Sequence, residues 1–304
     1  MKNDFLRITD FSRDEIFETF NLCSELKAKT QAREPHHRLK GQTLAMLFQK
    51  PSTRTRVSFE VGMVQLGGHA LYLSPNEVGV GKRESVADVA RVLSRFNDGI
   101  MARVFGHDIV QGLAQYASVP VINGLSDLTH PCQIMGDIFT VFEHKGRYED
   151  LKIAYIGDGN NVTNSWINLA ARLSLDLRVG CPQGYEPNMD LVKQAKDEGR
   201  SEITIYNDPF EAVKDADVVY TDVWASMGQE DEAETRKRIF MPFQVNEKLV
   251  AAADNDCLVL HCLPAHRGDE ITDAVIDGPH SVVFDEAENR LHIQKAIMVR
   301  LMEK

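Results

Sequence analysis

The chain has 304 residues, 43% of them hydrophobic, and a formal net charge of −11; that length supports one large domain or two ordinary ones and excludes a disordered or fibrous chain. The negative balance, with no long basic stripe, argues against a nucleic-acid partner, so any anionic ligand has to be caught by a few well-placed arginines. Five cysteines without a CxxC spacing argue against a disulfide framework or a zinc ribbon and fit a reducing cytoplasm, while the charged start Met1 to Arg7 and the lack of any apolar run near the ~18 residues of a membrane helix predict neither a signal peptide nor a membrane partner.

The first apolar run, Leu44 to Phe48, reads as a buried parallel strand. Gln49-Lys50-Pro51-Ser52-Thr53-Arg54-Thr55-Arg56 follows, then a helix with Val57, Val61 and Val64, and Phe59, Met63 and Leu66, at helical spacing, ending at Gly67-Gly68. A strand, a turn and a polar helix start suit a phosphate: first-turn N–H groups and the positive dipole end point at it, and hydroxyls and a guanidinium complete the cradle. A plain Ser cap with solvent-facing arginines is the simpler alternative. Two arginines and three hydroxyls within five residues exceed what a cap needs.

Ala70 to Leu73 is the next strand. Ser74 to Glu84, with Pro75, Gly79, Gly81 and Lys82-Arg83, has neither period and reads as a loop, as does the stretch from Ala225 to Ala233. After a helix around Val86 to Leu93 comes the strand Ile100 to Val104, whose Arg103 needs an anionic partner because burying it unpaired is costly. Val119 to Ile122 reads as a strand and Asn123-Gly124-Leu125-Ser126-Asp127 as a turn. Pro131 suits the first helical position, which puts His130 at the cap. There the imidazole can donate to a carbonyl or a developing oxyanion, and Gln133, one turn on, can hold an amide; a capping histidine without chemistry is the alternative.

Glu143 to Asp150 is a polar break. Beyond it, strands are expected at Ile153 to Ile156, Leu177 to Val179, Ile203 to Ile205, Val218 to Tyr220, Leu258 to Leu260 and Val282 to Phe284. The predicted fold is α/β: two doubly wound domains, each a mainly parallel sheet with helices on both faces, with ligands in the cleft. Gly157-Asp158-Gly159-Asn160-Asn161 lacks the third glycine of a dinucleotide fingerprint, which disfavours a nicotinamide cofactor. No carboxylate lies between Lys50 and Phe59 to bring magnesium to a phosphate, which disfavours a kinase or phosphatase.

Ser52-Thr53-Arg54-Thr55-Arg56 and His130-Pro131-Cys132-Gln133, in this order and about this far apart, resemble the carbamoyl phosphate site of the carbamoyltransferase family. The resemblance covers essentially the whole chain. Asp222-Val223-Trp224-Ala225-Ser226-Met227-Gly228 and His261-Cys262-Leu263-Pro264 resemble motifs of its ornithine branch, and Gly157 to Asn161 resembles its glycine turn ahead of paired asparagines.

That resemblance implies a carbamoyl phosphate-binding domain over 1–146, with a C-terminal helix 287–304 packing back onto it, and an ornithine-binding domain over 147–286. It implies transfer of a carbamoyl group to the side-chain amine of ornithine, with no metal and no organic cofactor. Ser52, Thr53, Arg54 and Thr55 would bind the phosphate, and Arg103 would join phosphate to carbonyl. Thr55, Arg103 and His130 would polarise the carbonyl oxygen, Gln133 would hold the carbamoyl NH₂, Pro131 and Cys132 belong to the same binding segment, and Arg290 would return to it from the last helix. Asn161 and the Met227 backbone would take the α-carboxylate of ornithine, and Asp222 and Ser226 its α-amino group. Cys262 would lie near the attacking amine, with the carbonyls of Cys262 and Leu263 orienting the reacting groups; Arg103, His130, Gln133 and Cys262 form the expected catalytic set. Arg56 is either a ligand or a brace. A cytoplasmic homotrimer is implied, with Gly79 standing where many members carry a Gln or His that serves a neighbouring subunit, a role Lys82 or Arg83 could fill. The alternatives are another amine acceptor such as putrescine, which would leave Asn161 without its role, and a non-catalytic ligand-binding homologue.

Overall fold

In the computed structural model, residues 3–75, 79–80, 83–225 and 230–303 are described. They form two compact units, 1–136 with 288–304, and 137–287. Each is built on one parallel sheet flanked by helices.

In the first unit, β1 (Thr43–Phe48), β2 (His69–Leu73), β3 (Gly99–Arg103) and β4 (Val121–Leu125) stand in the order β2-β1-β3-β4. Among the described residues these helices alternate with them: α1 (Arg13–Gln31), α2 (Thr53–Gln65), α3 (Val86–Phe96) and α4 (His107–Tyr116). All of Leu44 to Phe48 and Ile100 to Ala102 is buried, as expected of parallel strands covered on both faces. In α2 the two apolar rows part company: Phe59, Met63 and Leu66 are buried, whereas Val57, Val61 and Val64 are exposed.

Helix α5 (Pro131–Lys145) carries the chain into the second unit. There β5 (Leu151–Ile156), β6 (Leu175–Gly180), β7 (Glu202–Tyr206), β8 (Val218–Thr221) and β9 (Leu258–His261) stand in the order β7-β6-β5-β8-β9, all parallel. Around them lie α6 (Asn161–Ala170), α7 (Met189–Asp197), α8 (Pro209–Val213), α9 (Ala233–Phe240), α10 (Glu247–Val250) and α11 (Asp273–Ile276), and α12 (Val283–Met302) closes the chain. Ala154, Ile156, Val219, Val259 and the helix residues facing them form this unit's core.

Two expectations need correction. Val282 to Phe284 is not a strand: Val282 N–H bonds Val259 O at 3.0 Å, and Val283 then opens α12. Three apolar residues at a helix start carry no period by which to tell the two apart. Asn123-Gly124-Leu125 is not a turn but the end of β4. Gly124 is there for space, since a Cβ would come within 2.5 Å of Met101 Sδ on the neighbouring strand, and a glycine in a strand marks such close approach as readily as a turn. Of the expected loop after Ala225, residues 226–229 lie outside the described residues, Glu230–Glu232 is a short 3-10 turn, and α9 begins at Ala233.

Candidate active site

In each sheet the chain first steps to one side of its leading strand and then returns to the other. The points of reversal fall between β1 and β3 and between β5 and β8, where ligands of open parallel sheets bind, beyond the carboxyl ends.

In the first unit, Phe48 pairs with Arg103 at the ends of β1 and β3. Ser52 caps α2, its Oγ accepting from Thr55 N at 3.3 Å and donating to Thr55 Oγ1 at 3.2 Å. Arg103 Nη1 donates to the buried Thr55 Oγ1 at 3.5 Å, so two of the expected phosphate groups are joined. Thr53 and Arg54 are exposed on the first turn of α2. Arg56 is turned aside, donating to Glu60 Oε1 at 3.0 Å with its guanidinium 4.1 Å from the Tyr72 ring centroid, the geometry of a brace.

His130, which ends the loop from β4, is buried. Burial first, and then the charges of Arg290, Arg103 and Arg54, push its pKa well below the ordinary range, so the ring is neutral and offers one N–H. The loop that seats it is tightly tied. Asn123 Nδ2 donates to Leu6 O at 3.0 Å and to Thr129 Oγ1 at 3.1 Å, and Ser126 N–H donates to Thr129 O at 2.9 Å. His107 faces Ser126 Oγ at 2.8 Å and accepts from Arg7 Nε at 3.2 Å, and burial lowers its pKa to about 4. Pro131 opens α5. Cys132 is buried with its thiol toward Asn123 O at 3.5 Å and a pKa pushed up to about 12, which makes it a protonated packing residue. Arg290, on α12, donates from Nη1 to Gln133 Oε1 and so sets the direction of that amide. Ser52, Thr55, Arg103, His130, Gln133 and Arg290 thus belong to one unit and are linked pairwise by hydrogen bonds or by charge.

In the second unit, Gly157 takes a left-handed φ of +143° after β5, and Gly159 packs so closely that a Cβ would lie 2.3 Å from the 186–187 backbone. Asn160 caps α6, accepting from Val162 N at 2.8 Å and Thr163 N at 3.3 Å, while its Nδ2 donates to Asp222 Oδ2 at 2.9 Å. Asn161 is the first residue of that helix. Asp222 follows β8 and is buried; its Oδ1 accepts from Val223 N at 2.8 Å and from the Cys262 thiol at 3.0 Å. Burial and the anion of Asp222 hold the Cys262 pKa well above the ordinary thiol range, so Cys262 is a donor and not a thiolate nucleophile. Thr221 pairs with His261, which places Cys262 and Leu263 just beyond the next strand end. Ser226 and Met227 lie outside the described residues, as does Lys82.

Asp222, His261 and Cys262 offer ligand atoms within 4.8 Å of one another, the one such group among the described residues. Both ring nitrogens of His261 are engaged, by Leu263 N–H and by Glu270, and the thiol holds its proton. A cation would therefore displace a hydrogen bond at each ligand.

A family described as aspartate/ornithine carbamoyltransferase matches twice, by its carbamoyl-P binding domain over residues 3–143 and by its Asp/Orn binding domain over 149–301. The chain belongs to the aspartate/ornithine carbamoyltransferase family. Among its relatives in this family, the ornithine carbamoyltransferase of Syntrophotalea carbinolica is 57% identical over 99% of this chain and 100% of that protein. That of Geobacter sulfurreducens is 55% identical over 100% of both. The solved ornithine carbamoyltransferase from Pyrococcus furiosus superposes with a TM-score of 0.95 at 52% identity, covering 99% of this chain and 97% of that one.

Several residues that build this candidate site escaped the sequence reading. Asn123 was hidden in an apparent turn, and His107 in an ordinary helix start. Asn160 stood one place before the asparagine singled out; its position after Gly159, where a cap belongs, was the available clue. Arg236, on α9, donates to Asp158 Oδ2 at 2.9 Å, Trp224 O at 2.8 Å and Glu232 Oε2 at 3.2 Å, joining the glycine turn to both ends of the segment after Asp222. Nothing in its local sequence distinguished it from neighbouring surface charges.

Proposed function

We propose that the protein transfers the carbamoyl group of carbamoyl phosphate to the side-chain amine of L-ornithine, giving L-citrulline and phosphate, as the names of its relatives suggest. The supporting observation is the division of charge. The first unit gathers Arg54, Arg103 and Arg290 around a neutral His130, whereas the second centres on a buried carboxylate, Asp222, with a protonated thiol on it.

Ser52, Thr53, Arg54 and Thr55 hold the phosphate, with first-turn N–H groups behind them. Arg103, Thr55 and the His130 N–H polarise the carbonyl and stabilise the oxyanion, and Gln133 holds the carbamoyl NH₂. Pro131 and Cys132 shape that segment. Asp222 matches the α-ammonium of ornithine and Asn161 its α-carboxylate, together with Ser226 and Met227. The amine attacks in its neutral form beside Cys262, and the carbonyls of Cys262 and Leu263 orient the reacting groups. No step needs a metal or organic cofactor.

No helix among the described residues is long and apolar enough to cross a membrane. We place the protein in the cytoplasm as a homotrimer, and the exposed Val57, Val61 and Val64 of α2 support a subunit contact there. Citrulline formation measured side by side with ornithine, putrescine and aspartate tests the reading; ornithine is expected to lead, and equal or better turnover of either rival overturns it.

A further inference from the structure

We propose that His261 is a positioning residue for carbamoyl transfer: its neutral ring, held in one tautomer by Glu270, fixes the Cys262–Leu263 peptide and thereby the direction of the Cys262 carbonyl. The inference rests on the proposed reaction and adds to it a residue to which neither the motif reading nor the resemblance gave a role.

His261 ends β9 and is fully buried. Leu263 N–H donates to its Nδ1 at 2.9 Å, so that nitrogen carries the lone pair and the ring proton sits on Nε2. Nε2 faces Glu270 Oε1 at 3.0 Å, and the same oxygen accepts from His266 N at 2.6 Å. Glu270 is fully buried too. The backbone N–H of His261 is held in turn by Glu286 Oε2 at 2.8 Å. The ring is thus fixed from behind and presents one acceptor forward.

That acceptor decides the geometry of the next peptide. In a trans peptide the C=O points opposite to the N–H of the same plane. With Leu263 N–H anchored on the buried ring, the Cys262 carbonyl is directed away from it. Leu263 has a φ of +56°, in the left-handed region that a branched side chain disfavours. Rotation to a negative φ would swing the plane and turn the carbonyl, at the loss of the bond to Nδ1. Meanwhile the Cys262 thiol is pinned to Asp222, so the side chain and the following peptide of Cys262 are set by separate anchors. A carbonyl aimed in advance is what orientation of an amine or amide N–H requires.

His261→Asn and His261→Gln separate this role from plain packing. The Asn oxygen can take the place of Nδ1 and accept from Leu263 N–H, whereas Gln reaches only toward the Nε2 side. Expected for H261Q is a fall in kcat on the order of 10²-fold with an unchanged KM for carbamoyl phosphate, and for H261N recovery of most of that loss. Equal impairment of the two variants overturns the proposal. A crystal structure of H261Q reads the peptide directly: a turned Cys262 carbonyl with Leu263 at negative φ is expected, and an unmoved peptide overturns the proposal. If H261Q does not fold, the ¹⁵N shifts of the imidazole in the unmutated protein decide: a proton on Nε2 with a bare Nδ1 is expected, and a proton on Nδ1 refutes it. Citrulline formation by the unmutated protein tests the reaction itself, whereas the crystal structure and the ring shifts judge His261 whatever that assay gives.

Discussion

Replacing Asp222 with Asn keeps the shape of the side chain and removes its charge. In the structure the carboxylate accepts three hydrogen bonds, from Asn160 Nδ2 at 2.9 Å, Val223 N at 2.8 Å and Cys262 Sγ at 3.0 Å. An amide has one acceptor oxygen, so in D222N its NH₂ must face at least one of these donors. The ligand term is larger: a hydrogen bond to a charged partner is worth about 1.5–3 kcal/mol, and its loss should raise the ornithine KM roughly 10- to 150-fold. Carbamoyl phosphate, whose proposed phosphate ligands Ser52 to Thr55 and Arg103 lie in the other unit, should keep its KM. A second readout is independent of turnover. The Cys262 pKa is held up first by burial and then by Asp222, so in D222N the thiol should alkylate faster with iodoacetamide at fixed pH; the other four cysteines are buried. An unchanged ornithine KM, or an equal rise for both substrates, would refute the assignment of Asp222 to the acceptor.

Arg54→Ala should weaken carbamoyl phosphate binding by about tenfold or more, the scale of a charge-assisted contact, with the far-UV circular dichroism unchanged; calorimetry giving wild-type affinity would remove Arg54 from the phosphate site. His107 supplies a pH test of stability. Its pKa falls from 6.5 to about 4 on folding, mainly through burial, so the unfolded chain binds the extra proton between those values and stability is lost as pH drops from 6.5 toward 4. At 1.36 kcal/mol per pH unit the loss approaches roughly 3 kcal/mol. Urea titrations across that range should show the slope in the wild type and a flatter profile in His107→Gln; parallel profiles would contradict it.

Strands and their ends were legible because a parallel strand covered on both faces is a short apolar run followed by polar residues. Ser52, Arg103, His130 and Asp222 all follow or end such runs. What hid the rest was distance along the chain. Arg290 meets Gln133 across 157 positions and Cys262 meets Asp222 across 40, and no local pattern encodes such a pairing. The same holds for Arg236, whose neighbours suggest a solvated helix although its guanidinium is buried. Asn123 misled for the opposite reason: Asn-Gly is a strong local turn motif, and only the packing of Gly124 on Met101 explains why the strand continues through it.

The protonation state of His130 has a consequence for the reaction's pH dependence. Burial and then three guanidiniums keep its pKa well below 6.5, so a ring serving as N–H donor does not gain a proton in the neutral range. The acceptor is the group that must lose one, since a free alkylammonium titrates near ~10.4. If His130 acts as a neutral donor, log kcat/KM for ornithine should rise with a slope of about one from roughly pH 6 to 8, and carbamoyl phosphate affinity should show no break near 6.5. A histidine that had to be deprotonated within this range would add its own proton to the balance and steepen the slope toward two below about pH 6.5. The slope therefore separates a histidine kept neutral by burial and its arginines from one that exchanges protons during turnover. A break in carbamoyl phosphate affinity near 6.5 would refute the first.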